Sequence, residues 1–324
     1  MPGKKILKGV KPFNKYFFRS CFYHQLMVAY SEFGVSEEYH LLNYMPFYVL
    51  NDKNEVDFKK EPVFSSFELE HLTGVREIRK SCCKDISAEI IRSVDSGSPI
   101  IVAVDTFYLN FQPDLYNKKH KPHFIAVYGY DKTNKIFSII DHEYSGSWKY
   151  IEQQTDFSVI AEAYAGHERN FSHEFGGRLI KFKKTGKPQA LPTGRFKSAI
   201  AESKDDIIYS LMTVNDLCKR INETVSEKGK FNEIQALGSL CFRMKSFKRL
   251  QNYQLQMVYN DEKLNALITS TEEQIYYIAC ILQKMFHAGY DDKRVEKLKK
   301  RVSDFMSKEI EIHISLLGLC DIGG

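Results

Sequence analysis

Three residues of the chain have side chains suited to nucleophilic catalysis, and each stands at one end of a predicted element. Cys21 opens an amphipathic helix, His123 opens an apolar strand, and Asp141 closes the next strand. A thiol becomes a strong nucleophile when an imidazole accepts its proton and a helix N-terminus stabilises the thiolate. A carboxylate can fix the tautomer of that imidazole. The three residues therefore predict a site that attacks an ester, amide or thioester carbonyl.

The elements that must position these residues follow from hydrophobic patterning. Strands are predicted at 122–131 and 137–141, where apolar residues run almost without interruption, and at 100–105 between Pro99 and the polar loop that follows. Further strands are expected at 63–67, 75–78 and 178–182. Helical spacing or capping residues predict helices at 21–33, 36–48, 86–96 and 149–163.

A change of composition divides the chain. Residues 184–194 combine glycine, proline, lysine and threonine, as linkers do, and residues 195–319 contain no proline and few strand signals. Helices are predicted there at 197–226, 230–246, 248–260, 270–288 and 292–318. The expected fold class is α+β, with a catalytic domain at 1–184 followed by an all-helical bundle at 195–324.

Composition narrows the functional classes. The chain has 324 residues, 43% of them hydrophobic, and a net charge of +5, which does not indicate a nucleic-acid-binding module. Its seven cysteines include no pair of CxxC motifs, so a zinc ribbon is not expected. No apolar run approaches the ~18 residues of a membrane span. We expect a cytoplasmic protein with reduced thiols, no metal site and no membrane partner.

Other residues compete for roles in the site. Cys82 and Cys83 precede a predicted helix and are rivals to Cys21, although loop positions suit them better. Asp105 ends a buried strand and is a candidate for binding a substrate amine, while Tyr108 on the next loop is a candidate lid residue. His142 follows Asp141, and alternation along the strand predicts that it points to the opposite side.

Several segments, taken in order, resemble the N-terminal domain of butirosin biosynthesis protein H-like proteins, which are relatives of the C39-type cysteine peptidases. The resemblance covers roughly residues 10–183. The matching segments are Ser20-Cys21, Val35-Ser36-Glu37, the run from Gly97 to Asp105 with Tyr108-Leu109, the strand from His123 to Asp131, and Ile140-Asp141. The helical second half is similar to the extension that often follows this domain.

The resemblance implies a papain-like fold used for acyl transfer in the biosynthesis of natural products such as antibiotics. Cys21 would be the nucleophile, His123 the base and Asp141 the residue that orients it. The acyl donor would be the phosphopantetheine thioester of an acyl or peptidyl carrier protein, and the acceptor a small-molecule amine. No cofactor would be bound by the chain itself.

The role of the helical half is left open by the sequence. A homodimer through this domain is one reading. A second possibility is that an acidic carrier protein docks on the basic residues Lys245, Lys248 and Arg249. A solvated helix face is the simpler account of these residues.

One departure from the C39 pattern concerns the oxyanion hole. Those peptidases carry a glutamine shortly before the cysteine, whereas Lys15 to Ser20 contain none, and Asn14, the nearest amide, is the candidate side-chain oxyanion donor. The backbone N–H of Cys21 can supply one donor. Two alternatives therefore remain beside acyl transfer: a cysteine peptidase or amidase, and a papain-like binding module without catalysis.

Overall fold

The computed structural model describes residues 3–15, 20–51, 56–59, 61–144, 147, 149–171, 178–227 and 229–322. The chain forms two compact units, Met1–His40 with Ser65–Leu191, and Leu41–Phe64 with Pro192–Gly324. The predicted boundaries assigned residues 41–64 to the first domain, whereas these residues group with the helical unit.

Strands and helices are named here in chain order. The strands are β1 (Lys4–Ile6), β2 (Tyr48–Leu50), β3 (Val56–Phe58), β4 (Val75–Lys80), β5 (Ile100–Asp105), β6 (Pro122–Asp131), β7 (Ile136–His142), β8 (Tyr150–Asp156) and β9 (Leu179–Lys184). The helices are α1 (Cys21–Ser31), α2 (Glu38–Leu41), α3 (Ser66–Thr73), α4 (Ile86–Asp95), α5 (Phe157–Phe171), α6 (Thr193–Ala201), α7 (Lys204–Ser226), α8 (Phe231–Tyr259), α9 (Glu262–Ala288) and α10 (Asp292–Ile322).

An antiparallel sheet forms the centre of the first unit. Its strand order is β4-β9-β5-β6-β7-β8, and β1 pairs with the last residues of β6. The predicted strands at 100–105 and 122–131 are β5 and β6, and their apolar sequence reflects burial within the sheet. Helix α1 packs on β6 and β5, and α5 packs on β5. The model is thus mixed α/β, with an antiparallel sheet and a helical C-terminal region.

Local capping signals explain where helices begin. Ser65 accepts a hydrogen bond from the backbone N–H of Glu68, and the Glu68 carboxylate accepts one from the Ser65 backbone, which is a capping box. The strand predicted at 63–67 is therefore wrong, because this box starts α3. The helix predicted at 36–48 is also wrong beyond α2, since Tyr48 begins β2.

The helix predicted at 149–163 is half correct. Residues 150–156 form β8, in which buried or half-buried positions alternate with exposed ones along most of the strand. Only at Phe157 does α5 begin. This error matters for the site, because it moves Tyr150 from a helix into the sheet beside β7.

The second unit is built from long helices packed around one hydrophobic core. Tyr48 and Val56 of the β2–β3 hairpin join this core with side chains of α7, α8, α9 and α10. The separate helices predicted at 230–246 and 248–260 are one helix, α8. Among the described residues, no helix is long and apolar enough to cross a membrane.

A buried ion pair lies in this core. Lys248 and Glu309 are both fully buried, with Lys248 Nζ 2.6 Å from Glu309 Oε1. The Lys248 ammonium also donates to Gln251 Oε1 at 2.9 Å. The predicted use of Lys248 in docking a carrier protein is therefore wrong, because its ammonium is buried and paired with Glu309 inside the helical unit.

Candidate active site

His123 and Asp141 form a direct hydrogen bond. His123 Nε2 lies 2.6 Å from Asp141 Oδ1, and the two residues are 7% and 0% exposed. His123 is the second residue of β6, and Asp141 is the penultimate residue of β7. Pairing of these strands begins at Ala126–Ile140, so the strands separate at this end and leave room between them for the pair. Asp141 is therefore placed where it can hold the orientation of the His123 ring, while its role in catalysis stays a prediction.

A second donor holds the Asp141 carboxylate. Gln112 Nε2 donates to Asp141 Oδ2 at 2.7 Å, and Gln112 is 2% exposed. Asp141 thus accepts one hydrogen bond on each oxygen, which fixes the plane of its carboxylate. Sequence reasoning missed Gln112, because it lies in the long loop after β5 and no spacing relates it to Asp141.

Cys21 is the first residue of α1, as predicted, and Ser20 precedes it as the N-cap. Its thiol hydrogen-bonds the ring of His123, and the backbone N–H of Phe124 donates to the sulfur. Because Asp141 occupies Nε2, the other ring nitrogen, Nδ1, is the one left to face the thiol. The structure therefore brings the three residues predicted for catalysis together in the order thiol, imidazole, carboxylate.

Electrostatics favours the charged form of the thiol. Burial by itself raises the pKa of Cys21, and the Asp141 charge also raises it. The positive charge of His123, its hydrogen bond and that of Phe124 outweigh both effects, so the pKa of Cys21 lies below its ordinary value of 9.0.

The imidazole responds in the complementary direction. Burial lowers the pKa of His123, but the charges of Asp141 and Cys21 and their hydrogen bonds raise it to about 10. Thiolate and imidazolium thus stabilise each other, and the carboxylate of Asp141 stabilises the imidazolium from the other side. This arrangement can deliver a nucleophile and a proton to the same substrate.

His142 lies closer to the pair than alternation along β7 predicts. Its ring centroid is 5.4 Å from that of His123, and its Nδ1 hydrogen-bonds the Ser147 carbonyl oxygen at 2.7 Å. The two rings are neighbours although His142 follows Asp141 directly in β7, which pairs with β8 as far as His142 and Tyr150. Burial lowers the pKa of His142, and so does the nearby charge of His123.

His123, Asp141 and His142 each place one ligand atom within 4.8 Å of the others, so this group satisfies a loose geometric condition for holding a cation. The direct 2.6 Å contact of His123 with Asp141 already uses one nitrogen and one oxygen of the set. The arrangement therefore fits a hydrogen-bonded relay at least as well as a metal centre.

Asn14, predicted as an oxyanion donor, is engaged with the backbone of Tyr150. Its Oδ1 accepts from the Tyr150 N–H at 2.7 Å, and its Nδ2 donates to the Tyr150 carbonyl at 2.9 Å. Asn14 thereby fastens the start of β8. Its role in the oxyanion hole stays a prediction.

Asp105, predicted to bind a substrate amine, belongs to a different polar cluster. In the register of β5 and β6, Val104 pairs with His123, so Asp105 points to the other face of the sheet. Its buried carboxylate lies 2.7 Å from His120 Nδ1 and 2.8 Å from Asn170 Nδ2. Both of these contacts are to Oδ2, and Oδ1 accepts from the Phe107 N–H at 3.1 Å, so Asp105 is held firmly beside His120.

Tyr108, the predicted lid residue, lies beside the same cluster. Its hydroxyl accepts a hydrogen bond from Arg169 at 2.9 Å, and its ring packs on Gly166 of α5. A Cβ at Gly166 would lie 2.2 Å from the Tyr108 ring, so only glycine permits this contact. A role of Tyr108 in substrate binding stays a prediction.

The rival cysteines have different surroundings. Cys82 is exposed and Cys83 is half-buried. Burial raises the pKa of Cys83, partly offset by a hydrogen bond with Tyr164, so its thiol is less acidic than usual. Cys218 and Cys241 are buried in the helical core. Of the cysteines with a resolved pKa shift, Cys21 is the one whose pKa is lowered.

Comparison with known proteins supports the family resemblance. No curated protein matches the chain. A family model does match, over residues 29–142, and this segment includes His123, Asp141 and Gln112. Cys21 lies eight positions before its first residue. Residues 29–142 thus resemble the family described as Butirosin biosynthesis protein H, N-terminal, in agreement with the resemblance seen in the sequence.

Proposed function

We propose that this protein is a cysteine-dependent acyltransferase with a papain-like catalytic domain, in which Cys21 carries the acyl group between donor and acceptor. The observation that carries the proposal is the hydrogen-bonded series Cys21–His123–Asp141, with a thiol pKa below and an imidazole pKa above their ordinary values. Such an ion pair prepares a nucleophile and its proton donor before substrate arrives.

The name of the matched family supports the substrate class. It refers to the biosynthesis of butirosin, an antibiotic, and so favours a role in a biosynthetic pathway over protein breakdown. We propose that the acyl donor is a phosphopantetheine thioester on an acyl or peptidyl carrier protein and the acceptor is a small-molecule amine. A thioester is more reactive than an amide, which suits a site without the upstream glutamine of peptidases.

The proposed reaction has two halves. The Cys21 thiolate attacks the thioester carbonyl, and His123 gives its proton to the departing pantetheine thiol, leaving an acyl group on Cys21. In the second half the acceptor amine attacks this acyl-enzyme while His123 accepts a proton from the amine. Cys21 then leaves as thiolate, and the imidazolium is restored.

A pH profile follows from this scheme. Acylation needs the thiolate, so its rate rises through the lowered pKa of Cys21. It also needs the proton on His123, so the rate falls as the pH rises through about 10. A bell-shaped profile with these two limbs is expected in stopped-flow measurements of acylation. A single limb would contradict the role of His123 as proton donor.

Intact-protein mass spectrometry tests the proposal. We expect wild-type protein incubated with an acyl-pantetheine thioester to gain the mass of one acyl group, and Cys21→Ala to gain none. Cys83→Ala, which removes a thiol of ordinary or weaker acidity, should still be labelled. Addition of an amine should then remove the acyl group and produce the amide.

The outcomes separate the alternatives. Labelling that survives Cys21→Ala would refute the assignment of the nucleophile. Cleavage of peptides without transfer to amines would favour a cysteine peptidase. Absence of an adduct with any of several thioesters and activated esters would favour a binding module without catalysis.

A further inference from the structure

The Tyr150 hydroxyl is a buried polar group that the catalytic scheme above does not use. Tyr150 is 1% exposed, and its hydroxyl has no hydrogen-bond partner among the described residues. Buried hydroxyl groups without a partner are costly and uncommon. A donor kept in this condition in the resting protein is therefore suited to a partner that appears only with the substrate.

The ring of Tyr150 is held on several sides. Asn14 bonds both the N–H and the carbonyl of the Tyr150 backbone. The ring stacks on His24 at a centroid distance of 4.8 Å and packs against His142 at 4.2 Å. The phenol consequently cannot turn to solvent without breaking these contacts, and its hydroxyl keeps a fixed position.

That ring lies against the residues that flank Cys21 and His123. His24 lies three residues after Cys21 on α1, the spacing at which helix side chains are neighbours, so the stacked Tyr150 ring lies on the Cys21 side of the helix. His142, on the other side of Tyr150, is 5.4 Å from His123. Tyr150 therefore contacts two residues that flank the candidate site: His24, on the Cys21 side of α1, and His142, whose ring neighbours that of His123.

The charge environment keeps this hydroxyl protonated. Burial raises the pKa of Tyr150 far above its ordinary value, and the negative charges of Cys21 and Asp141 raise it further. These two charges act on the phenol because both are close to it. The phenol therefore stays protonated over the pH range of the proposed acylation and is available as a hydrogen-bond donor.

We propose that the Tyr150 hydroxyl is an oxyanion-hole donor for the tetrahedral intermediate formed at Cys21. This inference rests on the proposed acyl transfer. The Sγ–C bond forms, the carbonyl π electrons move to oxygen, and the oxyanion accepts hydrogen bonds from the Tyr150 O–H and the Cys21 backbone N–H. The carbonyl then re-forms, the C–S bond to pantetheine breaks, and the leaving thiolate takes the proton of His123.

This role supplies the donor that the sequence lacks upstream of the cysteine. Lys15 to Ser20 contain no glutamine, and Asn14 is bonded to the Tyr150 backbone. The Cys21 N–H belongs to the first turn of α1, where backbone donors have no partner within the helix. One backbone donor and one phenol donor together make a two-membered oxyanion hole.

Tyr150→Phe tests the proposal by removing one oxygen atom. Acylation by an acyl-pantetheine thioester forms an oxyanion, so its rate should fall about 100-fold, as when one oxyanion donor is lost elsewhere. Alkylation by iodoacetamide requires the same thiolate but forms no oxyanion, and should change less than about twofold, because the ion pair of Cys21 and His123 is untouched. Tyr128→Phe is the matched control. Its hydroxyl bonds Glu152, so both rates should remain those of wild type.

Each outcome has a defined meaning. Equal acylation rates in Tyr150→Phe and wild type would overturn the proposal, and so would a parallel loss of alkylation and acylation, which would indicate that Tyr150 only positions the thiol. Measuring p-nitrophenyl acetate as a second acyl donor separates this proposal from the proposed function. If the wild type reacts with the ester and not with the thioester, the carrier-thioester donor is refuted, and the effect of Tyr150→Phe on the ester still decides the role of Tyr150. A wild type inert to both reagents would overturn both.

Discussion

Asp141→Asn removes the negative charge of the candidate site while keeping the size of the side chain almost unchanged. Both partners of the carboxylate are donors: His123 Nε2 at 2.6 Å from Oδ1 and Gln112 Nε2 at 2.7 Å from Oδ2. An asparagine has one acceptor oxygen and one NH₂ group, so it can accept from only one of the two. If its NH₂ faces His123, the imidazole must carry its proton on the nitrogen that faces Cys21 and can no longer accept the thiol proton.

The size of the effect follows from the charges. At a separation of 4 Å and an effective dielectric constant of 20, two unit charges interact by about 4 kcal/mol, and the more distant thiolate feels roughly half of this from Asp141, with opposite sign. Neutralising Asp141 should therefore destabilise the thiolate–imidazolium pair by about 2 kcal/mol, or about 1.5 pKa units. The equilibrium between this ion pair and the neutral thiol and imidazole should shift about 30-fold toward the neutral form, and alkylation near neutral pH, which requires the thiolate, should slow by up to roughly 30-fold.

The assay is the rate of iodoacetamide alkylation across the pH range, followed by intact mass. Asp131→Asn is the matched control. It removes the same charge at the opposite end of β6, where the Asp131 carboxylate accepts a hydrogen bond from the Asn134 backbone N–H. The alkylation rate of this variant should follow the wild-type pH curve. Far-ultraviolet circular dichroism checks that both variants are folded. An Asp141→Asn curve that coincides with that of wild type would refute the reasoning, because the carboxylate would then contribute nothing to the ion pair.

Three further substitutions have expected outcomes. Gln112→Leu leaves the Asp141 carboxylate charged but less firmly held, so alkylation near neutral pH should slow by less than in the asparagine variant, as measured by the same alkylation curve; a larger loss than in that variant would contradict this. Lys248→Met removes the ammonium that pairs with the buried Glu309 carboxylate and should lower the free energy of unfolding by about 3–5 kcal/mol in urea titrations, with recovery in Lys248→Met/Glu309→Leu. Equal stability of the single variant and the wild type would refute the buried pair. Gly166→Ala places a Cβ 2.2 Å from the Tyr108 ring and should cost about 1–3 kcal/mol by the same measurement, whereas an unchanged midpoint would argue against that packing.

Sequence patterns located the residues of the candidate site because each stands at the end of a strongly patterned element. Cys21 begins a helix, and His123 and Asp141 end apolar strands, so their side chains meet where β6 and β7 separate. Residue spacing could not identify hydrogen-bond partners that come from loops. Gln112 reaches Asp141 from a loop, and its contribution depends on the path of that loop through space.

The errors in the fold have physical causes that bear on the site. Residues 152–156 are all polar, so the sequence carries no alternation that marks a strand, and the helical spacing from Phe157 onward predicts one helix across both stretches. The mistake hid Tyr150, whose position beside His142 depends on β8 being a strand. The capping box at Ser65 was available in the sequence and marks the start of α3.

The helical unit shows why a run of basic residues in the sequence does not by itself predict a basic surface. Lys248 is adjacent in sequence to Arg249, yet Lys248 is fully buried against Glu309 while Arg249 bonds Glu272 at 2.9 Å. Helical spacing places these neighbours on different faces. Docking of a carrier protein on this unit therefore stays a proposal without Lys248.

The most direct measurement of the central claim is the titration of Cys21 itself. The ultraviolet absorbance of the thiolate, taken as the difference between wild type and Cys21→Ala, reports the ionisation of this one thiol across the pH range. The site described here requires the thiolate to form well below the ordinary value of 9.0, and to form at higher pH when His123 is replaced by alanine. A thiol that titrates at or above 9.0 in wild type, or one unaffected by His123→Ala, would contradict the assignment of Cys21 and His123 as a catalytic pair.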